Sequence, residues 1–183
     1  MDFVFLGNNL AADFVNTEVI AQAGRTDLLT SPEWLSNWFE SSGIAVAIKC
    51  SENDLNNAKE LRSSIRRTFD LVIESKTIQP ADIALLNARS NELRRVLSGS
   101  NSDYKLSFRL ESSADALALI AQTCCELLAS PRIRSLRKCA SEKCILYFVD
   151  TSKNQLRQWC SMETCGNREK VRKHYGKNKA LEQ

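Results

Sequence analysis

Proline and glycine are scarce in this chain, at three and six residues among 183. So little of either leaves small room for long disordered linkers. Long apolar runs are missing as well. None approaches the roughly 20 residues that a membrane-crossing helix needs, so no membrane partner is expected. The opening Met1-Asp2-Phe3-Val4-Phe5-Leu6 is short, lacks a basic flank and is not read as a secretory leader. A cytoplasmic location is the default, and a reducing cytosol argues against disulfides. The chain also has no internal repeat, no low-complexity segment, no glycine-rich phosphate loop and no nucleophile elbow. Enzyme chemistry would have to be assembled from scattered side chains, so none is expected.

What is present describes an ordinary folded protein, 43% hydrophobic and 26% charged. The net charge of +3 conceals a division. Residues 132–183 hold 13 Lys/Arg against five acids, whereas residues 1–131 hold 12 against 17. An acidic body joined to a basic end suggests two parts with different partners.

The body reads mostly as helix. Leu10, Phe14 and Val15 share a face of a helix expected over residues 10–23, with Gly24 as its stop. Ser31-Pro32-Glu33 starts a second helix carrying Trp34, Leu35, Trp38 and Phe39, which Gly43 ends. From Ser51, Leu55, Ala58, Leu61, Ile65, Phe69 and Ile73 step by three or four along one stripe. Lys59, Arg62, Arg66 and Arg67 on the other side read as a solvated face. A further helix is expected from Pro80 to Leu97, ending at Ser98-Gly99-Ser100. Tyr104, Leu106, Phe108 and Leu110 then alternate with polar residues, a strand pattern, and Ser113–Ala129 returns to helix. The fold class is mainly α: a helical domain with a short strand or hairpin over residues 1–131, then a small zinc module over residues 132–183.

That module is read from four cysteines. Cys139-x4-Cys144 and Cys160-x4-Cys165 are separated by fifteen residues, an arrangement for one tetrahedral, structural Zn2+ held by four thiolates. Ile145–Val149 is a strand candidate, Asp150–Asn154 a turn, and Leu156–Trp159 a return strand delivering Cys160. Gly166 offers backbone freedom beside the fourth ligand, and Asn167 is the expected cap of a closing helix. The order is turn, β-hairpin, turn, helix. So short a segment buries little core, which makes a metal the expected staple. Cys50, Cys124 and Cys125 lack partner spacing and read as packed thiols. His174, the one histidine, has no place in a site that four cysteines complete.

Trp159-Cys160-Ser161-Met162 followed by Cys165-Gly166-Asn167-Arg168 resembles the signature of the CGNR zinc finger family. Cys139-x4-Cys144, the Phe148-Val149-Asp150-Thr151 run and the trailing basic helix are similar to it too. The resemblance covers roughly residues 133–175 and implies DNA binding. Asp13-Phe14-Val15-Asn16-Thr17 is similar to the Leu-Asp-x-x-Asn-Thr opening of the ABATE domain, which often precedes this finger and is described as a stress-induced transcription regulator. Ala12 stands where that family usually has Leu.

A basic finger meets double-stranded DNA through phosphate neutralisation, which is sequence-independent and salt-sensitive. The candidate contacts are Arg137, Lys138, Lys143, Arg157, Arg168, Lys170, Arg172 and Lys173, with Arg168 foremost at the start of the last helix. Arg168 also fits a bracing role, bonding carbonyls of the zinc turn. Asp13, Asn16 and Thr17 are candidate contacts for an unknown small-molecule effector, and Asn16 equally fits a buried hydrogen-bond anchor. A homodimer is expected on general grounds for a DNA-binding regulator. Two alternatives stand beside this reading: an RNA- or protein-binding adaptor, and a small-molecule-binding body with an accessory finger.

Overall fold

A computed structural model describes residues 2–21, 24–44, 48–100 and 103–172. Helix α1 (Leu10–Val15) is capped by Asn9, whose side chain accepts from the Ala11 and Ala12 amides. It is shorter than the periodicity predicts. Thr17 Oγ1 donates to the Phe14 carbonyl at 2.7 Å, and the chain turns into an antiparallel hairpin, β1 (Glu18–Ala21) and β2 (Gly24–Asp27). Gly24 therefore serves a strand, with φ of +106°, rather than stopping a helix.

Helix α2 (Pro32–Ser41) follows Ser31 with Pro at its first position, as the sequence indicates. It buries Leu35, Trp38 and Phe39, and the Trp38 ring meets Phe14 edge-on at 5.1 Å. Helix α3 (Glu52–Ile73) opens with a capping box between Ser51 and Asp54, which satisfies amide donors that the first turn leaves over. Its stripe of Leu55, Ala58, Leu61, Ile65 and Phe69 is buried as the spacing predicts, but Ile73 at the helix end is exposed.

The opposite side of α3 is not a solvated face. Arg62 and Arg66 are 3% and 9% exposed. Hairpin β1–β2 and α1 lie over them and supply carboxylates and oxygen acceptors for their terminal nitrogens. Arg62 grips Asp27 with two bonds at 2.6 and 2.7 Å and donates to Thr17 Oγ1 at 2.9 Å. Arg66 donates to the Val15 carbonyl at 2.7 Å and pairs with Glu18 at 3.0 Å. Burial pulls both acids up, but Arg25, Arg62 and Arg66 hold Glu18, and Arg62, the Leu29 amide and Lys59 hold Asp27, below the usual carboxylate range. Arg67 is exposed but pairs with the buried Asp82.

Helix α4 (Pro80–Ser90) ends seven residues short of the expected Leu97. Residues 95–97 instead enter β3 (Arg95–Ser100), which pairs antiparallel with β4 (Asp103–Phe108), so that Leu97 faces Leu106. Gly99 has φ of +132°, and a Cβ there would lie 2.0 Å from the Asp103 carbonyl oxygen. Helix α5 (Ser113–Ala129) packs on α4 and α1, with Cys124 buried among apolar neighbours.

A 3₁₀ turn (Pro131–Ser135) leads into β5 (Leu136–Lys138), which pairs with β6 (Tyr147–Val149). The partner of β6 is thus the strand before Cys139, and residues 156–158 form no strand. Strand β6 joins two cores. Alternate side chains point to opposite faces of a strand, so Tyr147 and Val149 enter the helical core while Phe148 enters a second cluster with Cys139, Leu146, Cys160 and Cys165.

The free edge of β6 is closed by the other end of the chain. Asn16 Nδ2 donates to the Tyr147 carbonyl at 2.9 Å, and the Tyr147 amide donates to Asn16 Oδ1 at 2.8 Å. The Val149 amide donates to the Gly7 carbonyl at 2.8 Å, and Asn8 Nδ2 donates to the Val149 carbonyl at 3.0 Å. One amide side chain imitates a neighbouring strand. Among the described residues, no helix is long and apolar enough to cross a membrane.

Candidate metal centre

Each cysteine reaches the centre from a differently built segment. Cys139 follows β5, and its amide donates to the Leu146 carbonyl at 2.9 Å. Cys144 closes a turn in which its own amide donates to the Ser141 carbonyl at 3.0 Å. Cys160 arrives through the loop after β6, where the Asp150 carboxylate accepts from the Ser152 and Arg157 amides at 2.9 and 2.8 Å. Cys165 lies in a wide helical turn (Met162–Gly166) whose cap is Ser161, accepting from the Thr164 amide. Asn167 is not the cap. It has helical dihedrals, and its side chain donates back to the Glu163 carbonyl at 3.0 Å. Gly166 takes no left-handed conformation either, and its lack of a Cβ admits the Met162 sulfur.

The four sulfurs lie within 4.8 Å of one another. Cys144 and Cys160 are 3.7 Å apart, and Cys160 and Cys165 are 3.6 Å apart. A tetrahedron with Zn–S arms near 2.3 Å has edges of about 3.8 Å. A disulfide would need about 2.05 Å. The residues present therefore fit one structural zinc ion in a closed four-thiolate shell. The Cys160 amide points at Cys139 Sγ at 3.5 Å, adding a donor to a sulfur that carries charge.

Proximity couples the protons of these thiols. Hydrogen bonds from Cys144 and Cys160 push Cys139 down to about 2. Cys144 is pushed up to about 12, chiefly by its bond to Cys139, and Cys160 is pushed up for the same reason. Gathering four negative sulfurs is unfavourable by itself, and a divalent cation supplies the missing charge.

Several candidate DNA contacts are partly engaged with the protein. The Arg157 guanidinium donates to the carbonyls of Trp159 and Cys160 and lies over the Phe148 ring, 4.8 Å from its centre. Arg137 donates to the carbonyls of Arg134 and Leu136 at 2.6 and 3.0 Å. Lys138 pairs with Asp70 at 2.9 Å, and Tyr147 donates its hydroxyl to the same carboxylate at 2.6 Å. Arg172 pairs with Glu142 and with the buried Glu169, whose carboxylate also accepts from Ser141 at 2.8 Å. Exposed Arg168 sits at the start of the helix and donates to the Lys143 carbonyl at 3.2 Å. Lys143 and Lys170 are exposed, with no ion pair among the described residues. Lys173 and His174 lie outside those residues.

The candidate effector contacts face inward. Asn16 and Thr17 are each 1% exposed, with polar atoms taken up by Tyr147, Phe14 and Arg62. Asp13 accepts from the Gly7 amide at 2.7 Å, and burial pushes its carboxyl up to about 6. Asp70 and Tyr147, which link finger to body, escape sequence reasoning. Neither has a motif, and their separation of 77 residues hides the contact.

The family model described as "Putative stress-induced transcription regulator" (ABATE) matches residues 8–131, and the model of the CGNR zinc finger matches residues 135–178. No curated protein matches the chain. With two-thirds of its length matched by one model and its zinc-ligand cluster inside the other, the chain belongs to the ABATE family and ends in a CGNR zinc finger.

Proposed function

We propose that the protein is a transcription regulator that binds double-stranded DNA through its zinc finger. The observation that carries this reading is the exposed cationic group of Lys143, Arg168 and Lys170 around the second zinc turn and the helix at residues 167–172. The metal frame fixes where these cations project. The basic segment keeps a charge of about +6 after four thiolates and one zinc ion are counted. Arg157 and Arg137, each donating to two carbonyls, and Lys138, paired with Asp70, are better suited to holding the frame, whereas exposed Arg168 makes one longer bond, 3.2 Å, to the Lys143 carbonyl. Four sulfurs complete the zinc shell and give water or substrate no open position, which supports a structural ion in a protein that is not an enzyme.

The test is fluorescence anisotropy with a duplex from the gene's own upstream region, across a salt series and with or without chelator. Affinity should fall steeply with salt. Arg168→Ala should flatten the log–log slope by about 1, and Arg157→Ala should instead lower zinc retention. DNA binding that survives complete zinc removal would sink the mechanism, and stronger binding to single-stranded RNA would favour the adaptor reading.

A small-molecule effector would find room in a cleft of the body's surface. A cleft of about 550 Å³ between the end of α3 and β5 has Val72, Ile73, Ile133 and Leu136 in its wall and Arg134 at its rim. Its size suits an organic ligand. A thermal shift with octanoate that Arg134→Ala abolishes would establish it.

A further inference from the structure

Ribbon β3–β4 contradicts its own sequence. Residues directly opposite share a face, so the register puts Leu97, Gly99, Tyr104, Leu106 and Phe108 on one side with Arg95. Ser98, Ser100, Asp103, Lys105 and Ser107 lie on the other, with Val96. Alternation of this kind marks a strand with one face buried. Yet Leu97 is 68% exposed, and Tyr104 and Leu106 are each 61% exposed. Eleven of the twelve strand residues are exposed, and Phe108 alone is half-buried. A two-stranded ribbon without cover is marginal in water.

We propose that this apolar face is the interface of a homodimer, in which the ribbons of two copies pack face to face about a twofold axis. The area fits. Leu97, Tyr104 and Leu106 leave roughly 370 Å² of apolar surface per chain. Two such faces bring together roughly 740 Å², and their polar rims add to that toward the about 1,000–1,200 Å² at which specific interfaces begin. The shape fits too: sheets stack about 10 Å apart with interdigitating side chains, and a twofold contact needs one surface complementary to itself. Charge selects the antiparallel arrangement. Arg95 is the one charged residue on the face, at the ribbon base over the Phe108 ring, with no ion pair among the described residues. Antiparallel packing keeps the two copies' Arg95 apart, at opposite ends of the contact. Parallel packing would set the two arginines together.

The proposal does not depend on DNA binding, and its test uses none. Light scattering after size exclusion, with the zinc-loaded full chain between roughly 1 and 100 μM, should give twice the 20.6 kDa chain mass. Leu106→Lys and the milder Leu97→Ser should each weaken the dimer at least about a hundredfold, toward the single-chain mass. Both should retain the helical circular dichroism and zinc content, because no core residue touches these positions. Val96→Lys, on the opposite face, should remain dimeric. A wild-type protein of single-chain mass throughout would overturn the proposal. So would a folded Leu106→Lys that stays dimeric, or a Val96→Lys that dissociates as readily.

Discussion

Two antiparallel ribbons in this chain teach opposite lessons. β5–β6 has three residues per strand, and Tyr147, Phe148 and Val149 are at most 1% exposed. β3–β4 is twice as long and lies almost wholly in solvent. Length and ladder bonds favour the second, but cover favours the first. The short ribbon has a core on each face and a borrowed edge from Gly7, Asn8 and Asn16, so its few hydrogen bonds are shielded from water. Within one chain the long one is held by its cross-strand pairs.

The comparison is broken most severely at the metal. Removing zinc, or making Cys160→Ser, should unfold the finger, since structural zinc in small fingers contributes on the order of 10–16 kcal/mol. Strand β6 belongs to both cores, so the helical signal should fall in the same transition, seen by circular dichroism and calorimetry. Two separate transitions would show that the cores are independent. Acid acts in the same direction: protons compete for the thiolates, so zinc release in a chelator assay should accelerate as pH falls.

Next come the tyrosines. Tyr147→Ala removes a ring at 0% exposure and its bond to Asp70, and should cost about 3–5 kcal/mol in urea unfolding. Tyr104→Ala, on the open ribbon, should change monomer stability by no more than about 0.5 kcal/mol. Similar losses at the two positions would mean the long ribbon is covered within the single chain.

Asn16→Ala tests the borrowed edge. It leaves the Tyr147 amide and carbonyl buried without Asn16, at about 1–3 kcal/mol for each unsatisfied group. Hydrogen exchange at the Tyr147 amide should accelerate with zinc still bound.

A smaller effect than at Tyr147 or Asn16 is expected at Asp13, which holds Gly7 against β6. Burial raises its folded pKa from 3.8 to about 6. The stability this contributes is therefore full below pH 4 and is lost as pH rises through 6. Asp13→Asn keeps an acceptor for Gly7 and avoids the buried charge. It should stabilise the protein by about 1–2 kcal/mol at pH 8, allowing for partial solvent contact, and change little at pH 4. Equal stabilisation at both pH values would exclude titration as the cause.

The zinc ligands were legible because a tetrahedral ion imposes spacing on the sequence itself. The stripe of α3 was legible because 3.6-residue periodicity is local. Arg62 and Arg66 were misread through an earlier error. Glu18 lies on a strand that the expected helix over residues 10–23 covers, Asp27 follows the Gly24 stop with no element assigned, and without the hairpin the arginines look solvated. Likewise, the helix expected from Pro80 to Leu97 covers the first three residues of β3, and Ser98-Gly99-Ser100 reads as its stop. The run Ile145–Val149 has no alternation, so it could not reveal that Tyr147 and Phe148 serve different cores. That information lies in contacts more than a hundred residues distant, as with Asn16.

The two-way bond between Asn16 and Tyr147 bears on how such proteins can be recombined. Family boundaries place a join near residues 131–135, which invites the finger to be excised or exchanged there. Cutting at that point strips the helical core of Tyr147 and Val149 and leaves Asn16 facing water. A transplanted finger would need to bring a matching strand, and its new host a matching asparagine. The seam works as a lock and key written 131 residues apart, so a change of one half at this contact requires a matching change in the other.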